Sequence, residues 1–127
     1  MRILVVDDEQ GFRQVFAEIL TGEGYEVRDV GDSESAYAAA REFDPAVLVV
    51  DWMLRDGSRG PDVARRLREQ RADLGVVLVT GFHASELDGP ATELGAHVLQ
   101  KPFHFDELLA AVSAVRPDAA DEVSGCP

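Results

Sequence analysis

The chain has 127 residues, a length that predicts a single domain with a sizeable core. Hydrophobic residues make up 46% of it, which argues against disorder. Its formal net charge of −12 argues against direct binding to nucleic acid or to an anionic membrane, and we predict neither partner.

Cysteine content and hydropathy indicate the cellular compartment in which we expect the protein. The single cysteine, Cys126, allows no intrachain disulfide, which fits a reducing compartment. No apolar run approaches the roughly 18 residues of a membrane helix. The apolar start ILVV is followed at once by Asp7 and Asp8, so it is a poor signal-peptide core. We therefore expect a soluble, cytoplasmic protein.

The first elements alternate between strand and helix patterns. The continuous apolar run Ile3–Val6 predicts a strand covered on both faces, as in a parallel sheet. An apolar stripe at helical spacing follows, and Gly22 and Gly24 end that helix. Tyr25–Val30 predicts a weaker strand, and Ser33 can cap a second helix. The members of the first stripe are Phe12, Val15, Phe16, Ile19 and Leu20.

The middle of the chain repeats this alternation. Ala46–Val50 and Val76–Val79 are continuous β-branched runs and predict the third and fourth strands. Between them, Gly60-Pro61 begins a third helix with an arginine-rich outer face. The pattern therefore remains that of a parallel sheet.

The last elements are shorter. A fourth helix is weakly encoded, because Gly89-Pro90 interrupts its pattern and leaves Pro90–Leu94. His97–Gln100 predicts a short fifth strand. Apolar residues at helical spacing mark a last helix: Leu108, Leu109, Val112 and Val115.

Five strands alternating with five helices predict an α/β fold with a doubly wound, five-stranded parallel sheet of the flavodoxin-like type. Right-handed crossovers place helices on both faces of such a sheet. We expect one domain over residues 1–116. Residues 117–127 (PDAADEVSGCP) are predicted to be a disordered tail or the start of a linker.

Polar residues follow four of the predicted strands. Asp7-Asp8 follows the first strand and Asp51 the third, while Thr80 and Lys101 follow the fourth and fifth. In a doubly wound sheet, ligands bind outside the carboxyl ends of the strands, so these side chains are expected to share one rim. Lys101 is the only lysine among the 12 basic side chains. A compact ammonium fits a crowded oxyanion site better than a planar guanidinium does.

The chemistry of this rim favours a divalent cation and a phosphoryl group. Clustered carboxylates raise one another's pKa unless a cation lies among them, and an all-oxygen acidic site suits Mg²⁺. The sequence lacks both the cysteine and histidine spacings of zinc sites and the glycine-rich phosphate loop of nucleotide hydrolases. An aspartate beside Mg²⁺ and an ammonium can act as a nucleophile toward phosphorus.

Four segments together resemble the receiver domain of two-component response regulators. They are ILVVDDE, VLVVDWML, VLVTG and LQKPF, in the family's order and spacing, and the resemblance covers roughly residues 1–115. It implies that a sensor histidine kinase or a phosphotransfer protein donates a phosphoryl group to Asp51. The only chemistry expected is self-phosphorylation and self-dephosphorylation, so we do not expect an enzyme.

The resemblance also implies roles for individual residues. Asp8, Asp51 and the Met53 backbone carbonyl would bind Mg²⁺ directly, and Asp7 would do so through water. The acyl phosphate would be contacted by three further residues: Thr80, Gly81 and Lys101. The peptide bond between Lys101 and Pro102 would be cis.

The family passes its signal through a face formed by the fourth helix, fifth strand and fifth helix. An output domain or partner protein would bind there, and the resemblance allows a homodimer. Val98 stands where the family usually has an aromatic residue, and Arg55 stands where proline is common. The predicted members of this face are Phe82, Leu87, Val98 and Phe103.

Other functions remain open. A metal-dependent phosphatase with an aspartyl nucleophile would usually carry a second aspartate at the position of Met53. A degenerate receiver acting only as a binding scaffold is disfavoured by the intact set of site residues. The sequence fits both a stand-alone receiver and the N-terminal part of a longer regulator.

Overall fold

The computed structural model describes residues 1–81 and 88–117, with only the backbone described at Asp88 and Pro90. Five strands and five helices alternate along these residues. They are β1 (Arg2–Val6), α1 (Gln10–Gly22), β2 (Glu26–Val30), α2 (Ser33–Phe43), β3 (Val47–Asp51), α3 (Gly60–Gln70), β4 (Gly75–Thr80), α4 (Asp88–Leu94), β5 (His97–Gln100) and α5 (Phe105–Val115).

The five strands form one parallel sheet in the order β2-β1-β3-β4-β5. Helices α1 and α5 pack on one face, and α2, α3 and α4 pack on the other. The doubly wound, flavodoxin-like α/β fold predicted from the sequence is therefore confirmed. In this strand order the connections reverse direction between β1 and β3, so the crevice for a ligand lies at the ends of those two strands.

The continuous apolar runs are explained by burial on both faces of the sheet. In β1, Leu4 and Val6 pack into the core beneath α2, α3 and α4, while Ile3 and Val5 pack beneath α1 and α5. All four side chains are fully buried. A strand covered on only one face would alternate apolar and polar residues instead. The edge strand β2 is half-exposed, which accounts for its weaker pattern.

The α1 stripe is only partly buried. Phe16 and Leu20 lie in the core, but Phe12 and Val15 are each 40% exposed. The predicted stripe therefore lies on one helix, but only part of it is covered by the core. Helical spacing identifies which residues share a face of a helix. It does not show that the first half of α1, near the carboxyl ends of the strands, is covered less well than the second half.

The cap of α2 also differs from the prediction. Asp32, one residue earlier, is the N-cap, and its carboxylate accepts a 2.7 Å hydrogen bond from the Ser35 backbone N–H. The buried Ser33 is the first helical residue, and its hydroxyl donates to the carboxylate of Asp56 in the β3–α3 loop at 2.8 Å. A serine that resembled a local cap thus makes a long-range contact.

The weakly encoded fourth helix is present as Asp88–Leu94. Gly89 and Pro90 lie in its first turn, where the missing N–H of proline costs no hydrogen bond, so they begin the helix rather than interrupt it. Residues 82–87 lie outside the described residues. The same is true of the predicted tail after Pro117, so the predicted domain boundary stays a prediction.

None of the helices in the described ranges combines the length and apolar content needed to cross a bilayer.

Candidate functional site

The register of the strands brings the predicted site residues to one rim. Val6 pairs with Val50, so the next residues, Asp7 after β1 and Asp51 at the end of β3, lie at the same level. On the other side of β3, Asp51 is paired with Val79, the residue before Thr80. Thr80 is paired in turn with Gln100, and Lys101 follows. The rim predicted from the ends of four strands is therefore present.

Asp7, Asp8 and Asp51 form what we call the acid cluster. One carboxylate oxygen from each lies within 4.8 Å of the others. Lys101 completes the arrangement, because its Nζ is 3.7 Å from Asp51 Oδ2 and 3.8 Å from Asp7 Oδ2. Three acidic groups and one ammonium therefore share a single partly buried pocket.

Burial dominates the electrostatics of the acid cluster. Desolvation raises the pKa of Asp7 above its ordinary value, against the backbone N–H of Glu9 and the Lys101 ammonium, which lower it. Desolvation also raises the pKa of Asp51, with Lys101 as the main opposing influence. Both carboxylates therefore ionise at a free-energy cost that a further cation would reduce.

The acid cluster fits Mg²⁺ on the chemistry of its donors. Asp7 Oδ1 accepts a 2.9 Å hydrogen bond from the Glu9 N–H, whereas Asp7 Oδ2 is buried and has no hydrogen-bond partner. A buried carboxylate oxygen without a hydrogen bond is costly, and the Lys101 ammonium at 3.8 Å meets this cost only in part, so a metal ion or its bound water would stabilise it further. Three carboxylates with only oxygen donors are the ligand type that Mg²⁺ prefers.

Both the backbone and the side chain of Lys101 are held in place by neighbouring groups. Its backbone N–H donates to the Thr80 carbonyl at 2.7 Å, and the Lys101–Pro102 peptide bond is cis. Its Nζ also lies 4.3 Å from the centroid of the Phe12 ring. An aromatic face attracts an ammonium, so Phe12 helps to hold Nζ beside the acid cluster.

The β3–α3 loop covers the outer side of the cluster. Its Arg55 backbone N–H donates to Asp8 Oδ2 at 2.6 Å. Further along the loop, the Asp56 carboxylate accepts hydrogen bonds from Ser58 and from Ser33, which hold its pKa well below its usual range. These contacts fasten the loop to the start of α2.

Other predicted residues occupy different positions at the rim. Thr80 is buried at the end of β4, and Gly81 is exposed directly after it. The Met53 side chain is exposed, while its backbone N–H is among the groups that lower the pKa of Asp51 against desolvation. The loop from Trp52 onward thus places main-chain groups, rather than the Met53 side chain, at the site.

Two of the four residues predicted for the signalling face lie in the part of the chain that the structure describes, and they pack on opposite sides of the sheet. Val98 packs with the core beneath α2, α3 and α4, whereas Phe103 packs on the opposite side of the sheet. There the Phe103 ring stacks on that of Phe16, with centroids 5.7 Å apart. Phe82 and Leu87 lie outside the described residues.

The sequence patterns assign neither Phe12 nor Arg55 to the site. Phe12 belongs to the apolar stripe of α1, although its position four residues after Asp8, at the start of α1, is a signal that it lies near the rim. Arg55 is visible in the sequence only as a departure from the family pattern. Its contact with Asp8 depends on the path of the loop, which residue spacing does not encode.

Replacing Asp7 by asparagine is expected to stabilise the metal-free protein by about 1–3 kcal/mol at neutral pH, because it removes a desolvated charge. The asparagine Oδ1 can still accept from the Glu9 N–H. The folded-state pKa of Asp7 lies above its ordinary value of 3.8. The protonated Asp7 carboxyl therefore adds to the free energy of unfolding in full below pH 3.8, and this contribution is lost as the pH rises through the folded-state pKa.

The gain from Asp7→Asn should therefore shrink as the pH falls. Urea unfolding in the presence of a chelator, over a range of pH, measures this gain. Mg²⁺ should stabilise the wild-type protein more than the variant. A variant less stable than the wild type at neutral pH would contradict the prediction.

Comparison with known proteins matches the chain to response regulators. The sequence model described as the response regulator receiver domain matches residues 3–113. The phosphate regulon transcriptional regulatory protein PhoB of Pseudomonas aeruginosa is 34% identical over 116 residues, covering 89% of this chain and 50% of PhoB. The chain spans about half the length of the curated relatives it matches.

Solved structures agree with the sequence comparison. NtrX from Brucella abortus matches with a TM-score of 0.85 and 32% identity, over 97% of this chain and 29% of NtrX. The response regulator TrrA from Thermotoga maritima, solved in complex with Mg²⁺-BeF, matches with a TM-score of 0.77 and 30% identity. That match covers 90% of this chain and 97% of TrrA.

Proposed function

The chain belongs to the response regulator receiver domain family, and from this premise we propose that Asp51 is its phosphoacceptor. It is a receiver domain of two-component signalling, a signalling module. The observation that carries the assignment of Asp51 is the Lys101 ammonium, 3.7 Å from its carboxylate. We further propose that a sensor histidine kinase or a phosphotransfer protein supplies the phosphoryl group from a phosphohistidine.

The transfer is a single displacement at phosphorus. An Asp51 carboxylate oxygen attacks, and an O–P bond forms as the P–N bond to the donor imidazole breaks. The bonding electron pair leaves with the imidazole nitrogen, which takes up a proton. Lys101 then balances charge on the phosphoryl oxygens, and the Thr80 hydroxyl and the Gly81 backbone N–H are proposed to donate hydrogen bonds to them.

Mg²⁺ is the proposed cofactor. Asp8, Asp51 and the Met53 backbone carbonyl would hold it directly, and Asp7 would do so through water. When bound, it supplies positive charge that neutralises the incoming phosphoryl oxygens. The buried Asp7 Oδ2, which lacks a hydrogen-bond partner, supports this assignment.

We further propose that the phosphorylated chain signals through the face that includes α4, β5 and α5. An output domain or a separate partner protein would bind there, in keeping with curated relatives about twice as long as the part matched here. Within this face, Ala91 and Leu94 of α4 lie in the core, and Val98 of β5 packs against that core from the sheet side. A homodimer formed through the same face is a further proposal.

Trp52 offers a direct test, because it is the only tryptophan and follows Asp51 in the chain. Mg²⁺ is expected to change its fluorescence with saturation, and beryllofluoride, which mimics a phosphoryl group, should change it again only when Mg²⁺ is present. Beryllofluoride without Mg²⁺ is the control. A tryptophan signal unaffected by both additions, together with no uptake of phosphate from acetyl phosphate, would contradict the proposed function.

A further inference from the structure

Arg55 touches Asp8 with both its backbone and its side chain. Its N–H lies 2.6 Å from Asp8 Oδ2, and its Nε lies 3.7 Å from the same oxygen. The two contacts differ in character, because the Arg55 side chain is 81% exposed while that of Asp8 is 17% exposed. An exposed guanidinium therefore pairs with the proposed metal ligand from the solvent side.

The backbone contact is fixed by the fold of the loop. Leu54 is buried, and its N–H donates to the Ser58 carbonyl at 2.9 Å. The Asp56 carboxylate accepts from both the N–H and the hydroxyl of Ser33. The loop is thus anchored on both sides of Arg55, so its N–H stays on Asp8 whichever way the side chain points.

The side-chain contact has no such anchor. Among the contacts described for the Arg55 guanidinium, Asp8 is the only acidic partner. A long, exposed side chain held by one ion pair at 3.7 Å can turn into solvent without disturbing the packing of the core. The guanidinium is therefore a displaceable cation on an otherwise fixed site.

Two cations flank the acid cluster in different ways. Lys101 is 23% exposed and pairs with Asp7 and Asp51 on the inner side of the cluster. Arg55 pairs with Asp8 on the outer side. A divalent cation that binds Asp8 must either displace the guanidinium or bear its repulsion, because like charges at these separations oppose one another.

We propose that the Arg55 guanidinium competes with Mg²⁺ for the Asp8 carboxylate and thereby weakens Mg²⁺ binding. The inference rests on the proposed function, because it takes the acid cluster as the Mg²⁺ site. Its consequence is that Mg²⁺ binds more weakly than it would without the Arg55 guanidinium, by a factor that depends on ionic strength. A charge on an exposed side chain is screened by salt, so the competition weakens as salt rises.

The test is a Mg²⁺ titration followed by the midpoint of the Trp52 fluorescence change. Arg55→Ala keeps the backbone N–H and removes the charge, so it should tighten Mg²⁺ binding by about threefold to tenfold at low salt, the scale of an exposed charge acting on a divalent ion. Arg55→Lys keeps the charge and should stay close to the wild type. The advantage of Arg55→Ala should diminish as salt is raised.

Arg59→Ala is the matched control. It removes the same charge from the same loop, and the described contacts of Arg59 include none with Asp8. Its midpoint should equal that of the wild type. Urea unfolding of each variant confirms that the loop changes leave the fold intact.

The outcomes separate the two proposals. If the wild type binds Mg²⁺ and Arg55→Ala has the same or a higher midpoint, the competitor role is overturned and the proposed function stands. The competitor role is also overturned if Arg59→Ala gives the same gain, since the effect is then general charge rather than the Asp8 contact. A wild-type chain that binds no Mg²⁺ overturns both.

Discussion

Asp51→Asn is expected to abolish phosphorylation by acetyl phosphate and the fluorescence response to beryllofluoride. The amide has no anionic oxygen to attack phosphorus or to bind beryllium, so the loss should be complete rather than partial. Asparagine has nearly the shape of aspartate and keeps one side-chain oxygen as an acceptor facing the Met53 backbone N–H, which lowers the pKa of the Asp51 carboxylate. The variant should fold, and it should be at least as stable as the metal-free wild type because a desolvated carboxylate has been removed.

Intact-mass measurement after incubation with acetyl phosphate and Mg²⁺ checks this prediction. Asp73→Asn is the matched control, because Asp73 is an exposed aspartate just before β4, at the opposite end of the strand from Thr80. It should take up one phosphoryl group, as the wild type does. Uptake of phosphate by Asp51→Asn at the wild-type rate would place the phosphoacceptor elsewhere.

Gly75→Ala is expected to produce the largest loss of stability, about 2–4 kcal/mol, which is severe for a domain of this size. Gly75 begins β4 and lies directly against the end of α5. A Cβ at this position would collide with the Val115 carbonyl oxygen and lie 2.8 Å from its carbonyl carbon. These are backbone atoms, so the last turn of α5 would have to move away from the sheet.

Urea unfolding measures the effect as a lower midpoint with an unchanged dependence on urea. Gly11→Ala serves as the control, because Gly11 lies in α1 and a Cβ there meets no atom within 4 Å. That change should be neutral or stabilising by up to about 1 kcal/mol, through helix propensity. A Gly75→Ala protein as stable as the Gly11→Ala protein would show that α5 does not pack on β4 as described.

The two glycines illustrate what local sequence can and cannot convey. Both are single glycines beside a predicted element, and nothing in their immediate neighbours distinguishes them. Alanine is expected to destabilise the protein at Gly75 but not at Gly11, because only Gly75 meets a distant backbone segment. A close approach of this kind arises from the packing of α5, which begins thirty residues after Gly75.

The sequence by itself determined the order and type of the elements. Burial on both faces forces a strand such as Ile3–Val6 to be apolar without interruption, so the parallel sheet is visible in the residues. It also determined the rim, because a parallel sheet brings all carboxyl ends to one edge. Asp7, Asp51, Thr80 and Lys101 each end or follow a strand, and that position alone predicts their meeting.

Only the tertiary structure decided which of these neighbours make contact, and which apolar residues are covered. Helical spacing groups Phe12 with Phe16, but the edge of the sheet leaves Phe12 exposed beside Lys101. The β3–α3 loop reaches both the start of α2, where Ser33 donates a hydrogen bond to Asp56, and the end of β1, where Asp8 accepts one from Arg55. Such contacts join residues far apart in the chain, so their geometry depends on strand register and loop path rather than on any local pattern.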